Sequence, residues 1–262
     1  MLKKILIILV LMTVVILSGC GKKKEEAPKD LLDTIKARGK IIVGVKTDTK
    51  PFGFLDKDGK NIGYDIDIAK KICYLIFGNE EQIEFVPVTP SNRIMKLSSG
   101  AVDILVATMS VTSQRLQLID FSSTYHIAGQ AIMVRKGSSV TSLKELNKKK
   151  VIIVYGSTSE KNLRLAVPEA IVIGYRTYPE AYKALKAGKA EAIVADDTIL
   201  LRFALDDPSV EILSKRYSME HYAVAFRKGK KSERMLDRVN FMIETMVRSG
   251  EISRMQEFWG IK

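Results

Sequence analysis

A strand-like run, D-I-L-V-A at 103–107, is followed at once by T-M-S-V-T-S-Q-R, so Thr108, Ser110 and Thr112 offer hydroxyls just past its end and Arg115 stands beyond them. Open α/β sheets bind ligands outside the carboxyl ends of their strands. Hydroxyl and backbone N–H donors beside a guanidinium form the donor set that holds a carboxylate, because the guanidinium donates two parallel charge-assisted bonds. A second apolar run, E-A-I-V-A at 191–195, leads into Asp196, whose carboxylate suits an ammonium. Together these residues could grip a zwitterionic small molecule in a cleft between two α/β units. The same pattern also fits Arg115 on a helix surface with the hydroxyls as caps, and spacing alone does not separate the two.

Other chemistries find less support. The two histidines, His126 and His221, have no ligand spacing with each other or with a cysteine, so neither a metal nor a cofactor is expected. Ser157 in Y-G-S-T-S lacks the flanks of a nucleophile elbow. Phosphate-binding glycine loops are absent. The pairs Asp65 with Asp67 and Asp196 with Asp197 could act as acid and base, but near helix starts they read more simply as complements to the helix dipole. On its residues the chain reads as a binder and not an enzyme.

The elements that must carry these groups alternate. Strand-like K-I-I-V-G-V at 40–45, amphipathic 65–77, strand-like 83–88, a short helix at 93–100 and the strand at 103–107 make one set. A strand at 151–155, a helix at S-E-K-N-L-R-L-A, a strand at 170–174, a helix at 179–188 and a strand at 191–195 make another. Such alternation predicts two α/β lobes, each around a mostly parallel sheet. The extended runs 129–134 and 221–226 bracket the second set, so they are expected to form two hinge crossings. The expected lobes are 31–128 with 223–262, and 129–222. The closing segment 232–250 has apolar residues at helical spacing and should pack back on the first lobe.

The N-terminus reads as processing signal. Lys3 and Lys4, an apolar run from Ile5 to Leu17 and then L-S-G-C ending at Cys20 have the order of a signal peptide over 1–19. The run is shorter than the roughly 20 apolar residues a span needs. L-S-G-C resembles the lipobox of bacterial lipoproteins, which makes Cys20 the expected lipidated residue, with 20–30 a tether whose K-K-K adds electrostatic hold on an anionic membrane. Cys73 then stands alone, in a helical pattern that suits a small buried hydrophobe. The net charge of +12 is scattered among acids without a reader motif, so no nucleic-acid partner is expected.

P-F-G-F at 51–54, G-Y-D-I-D-I-A-K-K-I at 63–72, A-T-M-S-V-T-S-Q-R with I-D-F-S, and Y-G-S-T-S-E at 155–160 resemble, in this order, the polar amino-acid-binding proteins of bacterial ABC importers, the extracellular solute-binding proteins of family 3. The resemblance implies a type II periplasmic-binding-protein-like α/β fold of two lobes. It also implies a monomer, exported and lipid-anchored at the cell membrane on its periplasmic or extracellular side, that hands an amino acid to permease subunits with their ATPase. By resemblance Arg115 pairs with the ligand α-carboxylate, helped by Thr108 and Ser110. Asp196 takes the α-ammonium, and Ser157 and Thr158 clamp the carboxylate from the second lobe.

Lys46, Arg93 and Tyr178 fall where the glutamate and aspartate binders of the family place cations and a polar ring, so the resemblance is closest to those binders and implies an acidic ligand. A cation left without a distal carboxylate would be a buried unpaired charge, which discriminates against the wrong ligand. A binder of basic amino acids would instead want an extra acid here; Asp48 is the only nearby candidate, and Lys50 beside it argues against that role. Glutamine or another polar amino acid is the alternative. An amino-acid dehydratase-like enzyme on the same fold, using Glu160 or His126, is the alternative of another class.

Overall fold

The computed structural model describes residues 30–261; the expected signal peptide, Cys20 and nearly all of the tether lie outside them. Asp30 caps α1 (Leu31–Arg38), its side chain accepting from Asp33 N at 2.9 Å. The β-branched run that follows is β1 (Ile41–Val45), buried along most of its length. A small antiparallel sheet of β2 (Asp48–Thr49), β3 (Gly53–Leu55) and β4 (Asn61–Ile62) was not legible in the sequence. After it come α2 (Tyr64–Phe77), β5 (Ile83–Pro87), α3 (Arg93–Ser98), β6 (Ile104–Val106), α4 (Ser113–Leu116) and the long β7 (Ile119–Ala128). The amphipathic pattern of α2 buries Ile68, Ala69, Ile72 and Cys73. Cys73 is thus the small buried hydrophobe its neighbours suggest.

The chain then passes to a second set: β8 (Gln130–Arg135), β9 (Lys150–Val154), α5 (Ser159–Ala166), β10 (Ile171–Tyr175), α6 (Tyr178–Lys186), β11 (Ala192–Asp196), α7 (Asp197–Asp206) and β12 (Val210–Ile212). It returns as β13 (Glu220–Arg227) and ends in α8 (Glu233–Arg248) and α9 (Glu251–Phe258), which are separated at Gly250 in the left-handed region at φ 70°. The sheets have matching orders, β5-β1-β6-β13-β7 and β10-β9-β11-β8-β12. In each, four strands run one way and one runs against them, β13 in the first sheet and β8 in the second, and that strand comes directly from a crossing between lobes.

The runs at 129–134 and 221–226 are regular strands over nearly all their length, so the crossings narrow to their ends. Tyr217 N donates to Gln130 O at 2.9 Å, and a Cβ on Gly129 would meet Arg216 and Ser218 at 3.1 Å, so the two crossings lie side by side. Glu220 already pairs with Ala128, which puts the return crossing ahead of Glu220 and not at 222–223. Met235, Val239, Ile243 and Met246 bury one stripe of α8, which packs on β7. Each such side chain contributes about 1.5–3 kcal/mol on burial. Trp259 Nε1 donates to Asp67 Oδ2 at 2.7 Å and ties the chain end to α2.

Candidate ligand-binding site

In the first sheet β1 lies between β5 and β6 and in the second β9 lies between β10 and β11, and the crevice opens where the connections leave in opposite directions. At the carboxyl ends of those central strands stand Lys46 after β1, Thr108 after β6, Gly156 to Thr158 after β9, and Asp196 at the end of β11. Topology therefore brings together four segments far apart in sequence.

On the first lobe, Thr108 adopts φ 48°, uncommon for a residue with a Cβ. Two groups hold it there. Asp65 Oδ2 accepts from Thr108 N at 2.8 Å, and Arg93 Nη1 donates to Thr108 O at 3.1 Å and to Ala107 O. Asp65 Oδ1 accepts from Tyr125 Oη at 2.9 Å, and burial pushes this carboxyl up to about 6 against those bonds. Thr112 does cap α4, accepting from Arg115 N at 3.2 Å, but the Arg115 side chain is buried, not on a helix surface. Its Nη1 donates to Ser110 O at 2.8 Å and its Nη2 to Gly156 O of the opposite lobe at 2.9 Å. Burial and the neighbouring Arg93 pull its guanidinium down to about 9, so it stays cationic at neutral pH.

On the second lobe, Ser157 and Thr158 line, with Arg115, a cavity of about 550 Å³ between the lobes. Their hydroxyl protons are committed elsewhere, however. Ser157 Oγ donates to Val154 O at 2.6 Å, and Thr158 Oγ1 donates to Glu220 Oε2 at 2.8 Å. Asp196 is buried and accepts from Tyr222 Oη, which belongs to the first sheet. Burial, then the nearby Glu220, raise the Asp196 carboxyl to about 7. Tyr178 begins α6 behind a capping box of Thr177 and Glu180, and burial followed by Asp196 keeps its phenol protonated.

Lys46 is fully buried, and its Nζ lies 2.6 Å from Asp48 Oδ1. The contact pairs the charges, and an ammonium that meets one carboxylate oxygen keeps further N–H donors. Burial lowers the lysine and Asp48 partly restores it. Arg93 is nearly as buried; burial pulls its guanidinium down against Tyr178, Tyr222 and Asp196, which favour its charge, and its Nε has no partner. Phe52 closes this end, its ring 5.5 Å from that of Tyr222 and 5.3 Å from that of His126.

The structure thus gathers all nine residues singled out from the sequence. It adds Asp48, Asp65, Tyr125, Glu220 and Tyr222. Asp65 was legible in principle: it shares the helical face of Ala69 and Ile72, where an acid has no reason to be buried unless it binds something. Tyr222 and Glu220 had no local signal. His126 is held near 4 by burial, between Thr198 Oγ1 and Gln256 Nε2, each at 3.3 Å. Glu160 pairs with Arg164 on the surface at 3.1 Å. Neither stands as an acid or base in the cleft, and no group of three metal-ligating side chains occurs among the described residues.

Residues 41–262 match the family model of the bacterial extracellular solute-binding proteins, family 3. The chain belongs to that family. It is 38% identical over 257 residues to the ABC transporter glutamine-binding protein of Bacillus subtilis (strain 168), covering 95% of this chain and 93% of that one. It is also 38% identical over 242 residues to the glutamine-binding protein of Geobacillus stearothermophilus, covering 87% and 92% of the two chains. Among solved structures, an ancestral arginine-binding protein bound to glutamine superposes with a TM-score of 0.79 at 36% identity, covering 86% of this chain and 99% of that one. This family 3 protein is a transport binding protein and not an enzyme. Among the described residues no helix is long and apolar enough to cross a membrane.

Proposed function

We propose that this family 3 protein closes its two lobes on an L-amino acid, with L-glutamine as the ligand, and delivers it to an ABC permease. Arg115, Thr108 and Ser110 take the α-carboxylate, with the 156–158 segment covering it from the second lobe. Asp196 takes the α-ammonium, and Lys46, Arg93 and Tyr178 face the side chain. The protein acts as a monomer, exported and held at the membrane by lipid on Cys20.

The observation that carries glutamine over the acidic ligand is the Lys46–Asp48 pair at 2.6 Å. With Arg115 and Asp196 assigned to the main-chain groups, the charges left near the side chain are Lys46 and Arg93 against Asp48 and Asp65, two cations and two carboxylates. A wall without net charge leaves no buried cation waiting for a distal carboxylate. An amide, which both donates and accepts, fits a donor and an acceptor side by side. A glutamate would bring a charge to a wall already balanced, at the cost of burying it unpaired. The glutamine-binding relatives support the same choice.

The test is calorimetric titration of the mature chain, with Cys20→Ser, against L-glutamine, L-glutamate, L-aspartate and L-arginine. Glutamine should bind tightest, by at least about tenfold over glutamate. Tight binding of glutamate or aspartate with weak binding of glutamine would restore the acidic ligand. No binding of any of the four would remove the reading.

A further inference from the structure

Two residues stand where the chain changes lobes, Gln130 at the start of β8 and Glu220 at the start of β13, and both side chains close on the first turn of α5. Thr158 Oγ1 donates to Glu220 Oε2 at 2.8 Å and accepts from Gln130 Nε2 at 2.8 Å. Asn162 Nδ2 donates to Glu220 Oε1 at 3.2 Å and to Gln130 Oε1 at 3.1 Å. Ser218 Oγ, on the return crossing, gives Glu220 Oε1 a third donor at 2.7 Å. Glu220 is buried, and the assignment of ligand contacts above makes no use of it.

A buried carboxylate held by three donors from two different segments fixes those segments against each other, because parting them would leave a buried charge without its partners. We propose that Glu220 is the positioning residue of this site: from the crossing it holds the α5 start in its closed place over Arg115 and sets the charge state of the ammonium-binding carboxylate. The first part rests on the network just described. The second rests on placement: Tyr222, two residues along β13 and so on the same face as Glu220, donates to Asp196, and Asp196 lies across from Gln130, which shares Thr158 and Asn162 with Glu220. The groups facing Asp196 are Glu220 and Tyr222 of β13, Asp197 of α7, Arg93 of α3 and Tyr178 of α6, and Arg115 of α4 is coupled to it as well. Glu220 is the carboxylate that acts most strongly to keep a proton on Asp196. The inference rests on the amino-acid-binding reading.

The test compares wild type with Glu220→Gln, which keeps the shape, removes the charge and sets an NH2 against one group of donors. L-Glutamine affinity is measured by calorimetry across pH, and rates by stopped-flow fluorescence. Above neutral pH the variant should bind about tenfold or more weaker, the loss lying in faster dissociation with association within about threefold of wild type. On acidification, the pH at which affinity begins to fall should move down, because Asp196 loses its neighbouring charge. Unchanged affinity, or weaker binding with an unmoved pH midpoint, overturns the proposal, the latter leaving Glu220 a purely structural support. If Glu220→Gln does not fold, the partly exposed Asn162→Ala carries the test: faster glutamine release by about threefold or more sustains the proposal and unchanged release overturns it. Failure of the wild type to bind any amino acid refutes the functional reading instead, so the two failures are distinct.

Discussion

Replacing Gly156 by alanine should uncouple folding from closure. Gly156 has φ 79°, and a Cβ there would lie 2.5 Å from Pro90 O and 2.6 Å from Pro90 C and Ser91 Cα, backbone of the opposite lobe. Ordinary contact begins at 3.4 Å, so the lobes must part by 3.4 − 2.5, about 0.9 Å, at this point. A shift of that size carries the Arg115–Gly156 bond from 2.9 Å to as much as about 3.8 Å, beyond hydrogen bonding. A bond from a charged donor is worth about 1.5–3 kcal/mol, or roughly 10- to 150-fold in Kd. The left-handed backbone costs an alanine about 1–2 kcal/mol whether the lobes are open or closed, which at this chain length lowers Tm by about 2–8 °C. Gly188→Ala supplies the control, since Gly188 has φ 71° with nothing within 4 Å of its added Cβ. Calorimetric titration and thermal melts of both variants should show similar losses in Tm and a loss of ligand affinity in Gly156→Ala alone. Equal affinities in the two variants would refute the reasoning that closure brings Gly156 against the turn at Pro90.

Asp48→Asn should leave Lys46 an unbalanced cation and shift the glutamine-to-glutamate affinity ratio toward glutamate by about tenfold or more, read by competition titration; an unchanged ratio removes Asp48 from the specificity wall. Ligand affinity should fall as pH drops below about 7, approaching tenfold per unit, because Asp196 is raised to about 7 and a protonated Asp196 must lose its proton to meet an ammonium. A flat profile between neutrality and pH about 5 would count against Asp196 as the ammonium partner. Asp65→Ala should strip Thr108 N and Tyr125 Oη of their acceptor, costing about 2–5 kcal/mol and lowering Tm by about 4–20 °C. A Tm within about 2 °C of wild type would show that the Thr108 backbone does not depend on it.

Much of the scaffold could be read from period alone. Apolar alternation and helical spacing predict nearly every strand and helix of the two α/β sets to within one or two residues, because their buried faces impose those periods. The elements that escaped are β2, β3, β4, β12 and α4, too short to show a period, the helices α7 and α9, and β7, whose hydroxyl-rich F-S-S-T-Y hides a strand that pairs with β13 across two register shifts. Hydrogen bonding into each sheet consumes most of the runs 129–134 and 221–226, which alternation alone does not separate from extended crossings.

What the sequence by itself determined is the set of reactive groups and the strand ends that present them: Thr108, Ser110 and Arg115 after one strand, Asp196 at the end of another, Lys46 after a third. Residue type sets what a group can bind, and a strand end is local. What only the tertiary structure decided is how these groups are committed. Lys46 is neutralised by Asp48 two residues away, Ser157 and Thr158 turn their hydroxyls from the cleft, Asp65 is a buried brace, and Glu220 is brought from a strand start to the second-lobe helix. Charge balance and hydrogen-bond saturation are sums over neighbours in space, and such neighbours need not be close in the chain.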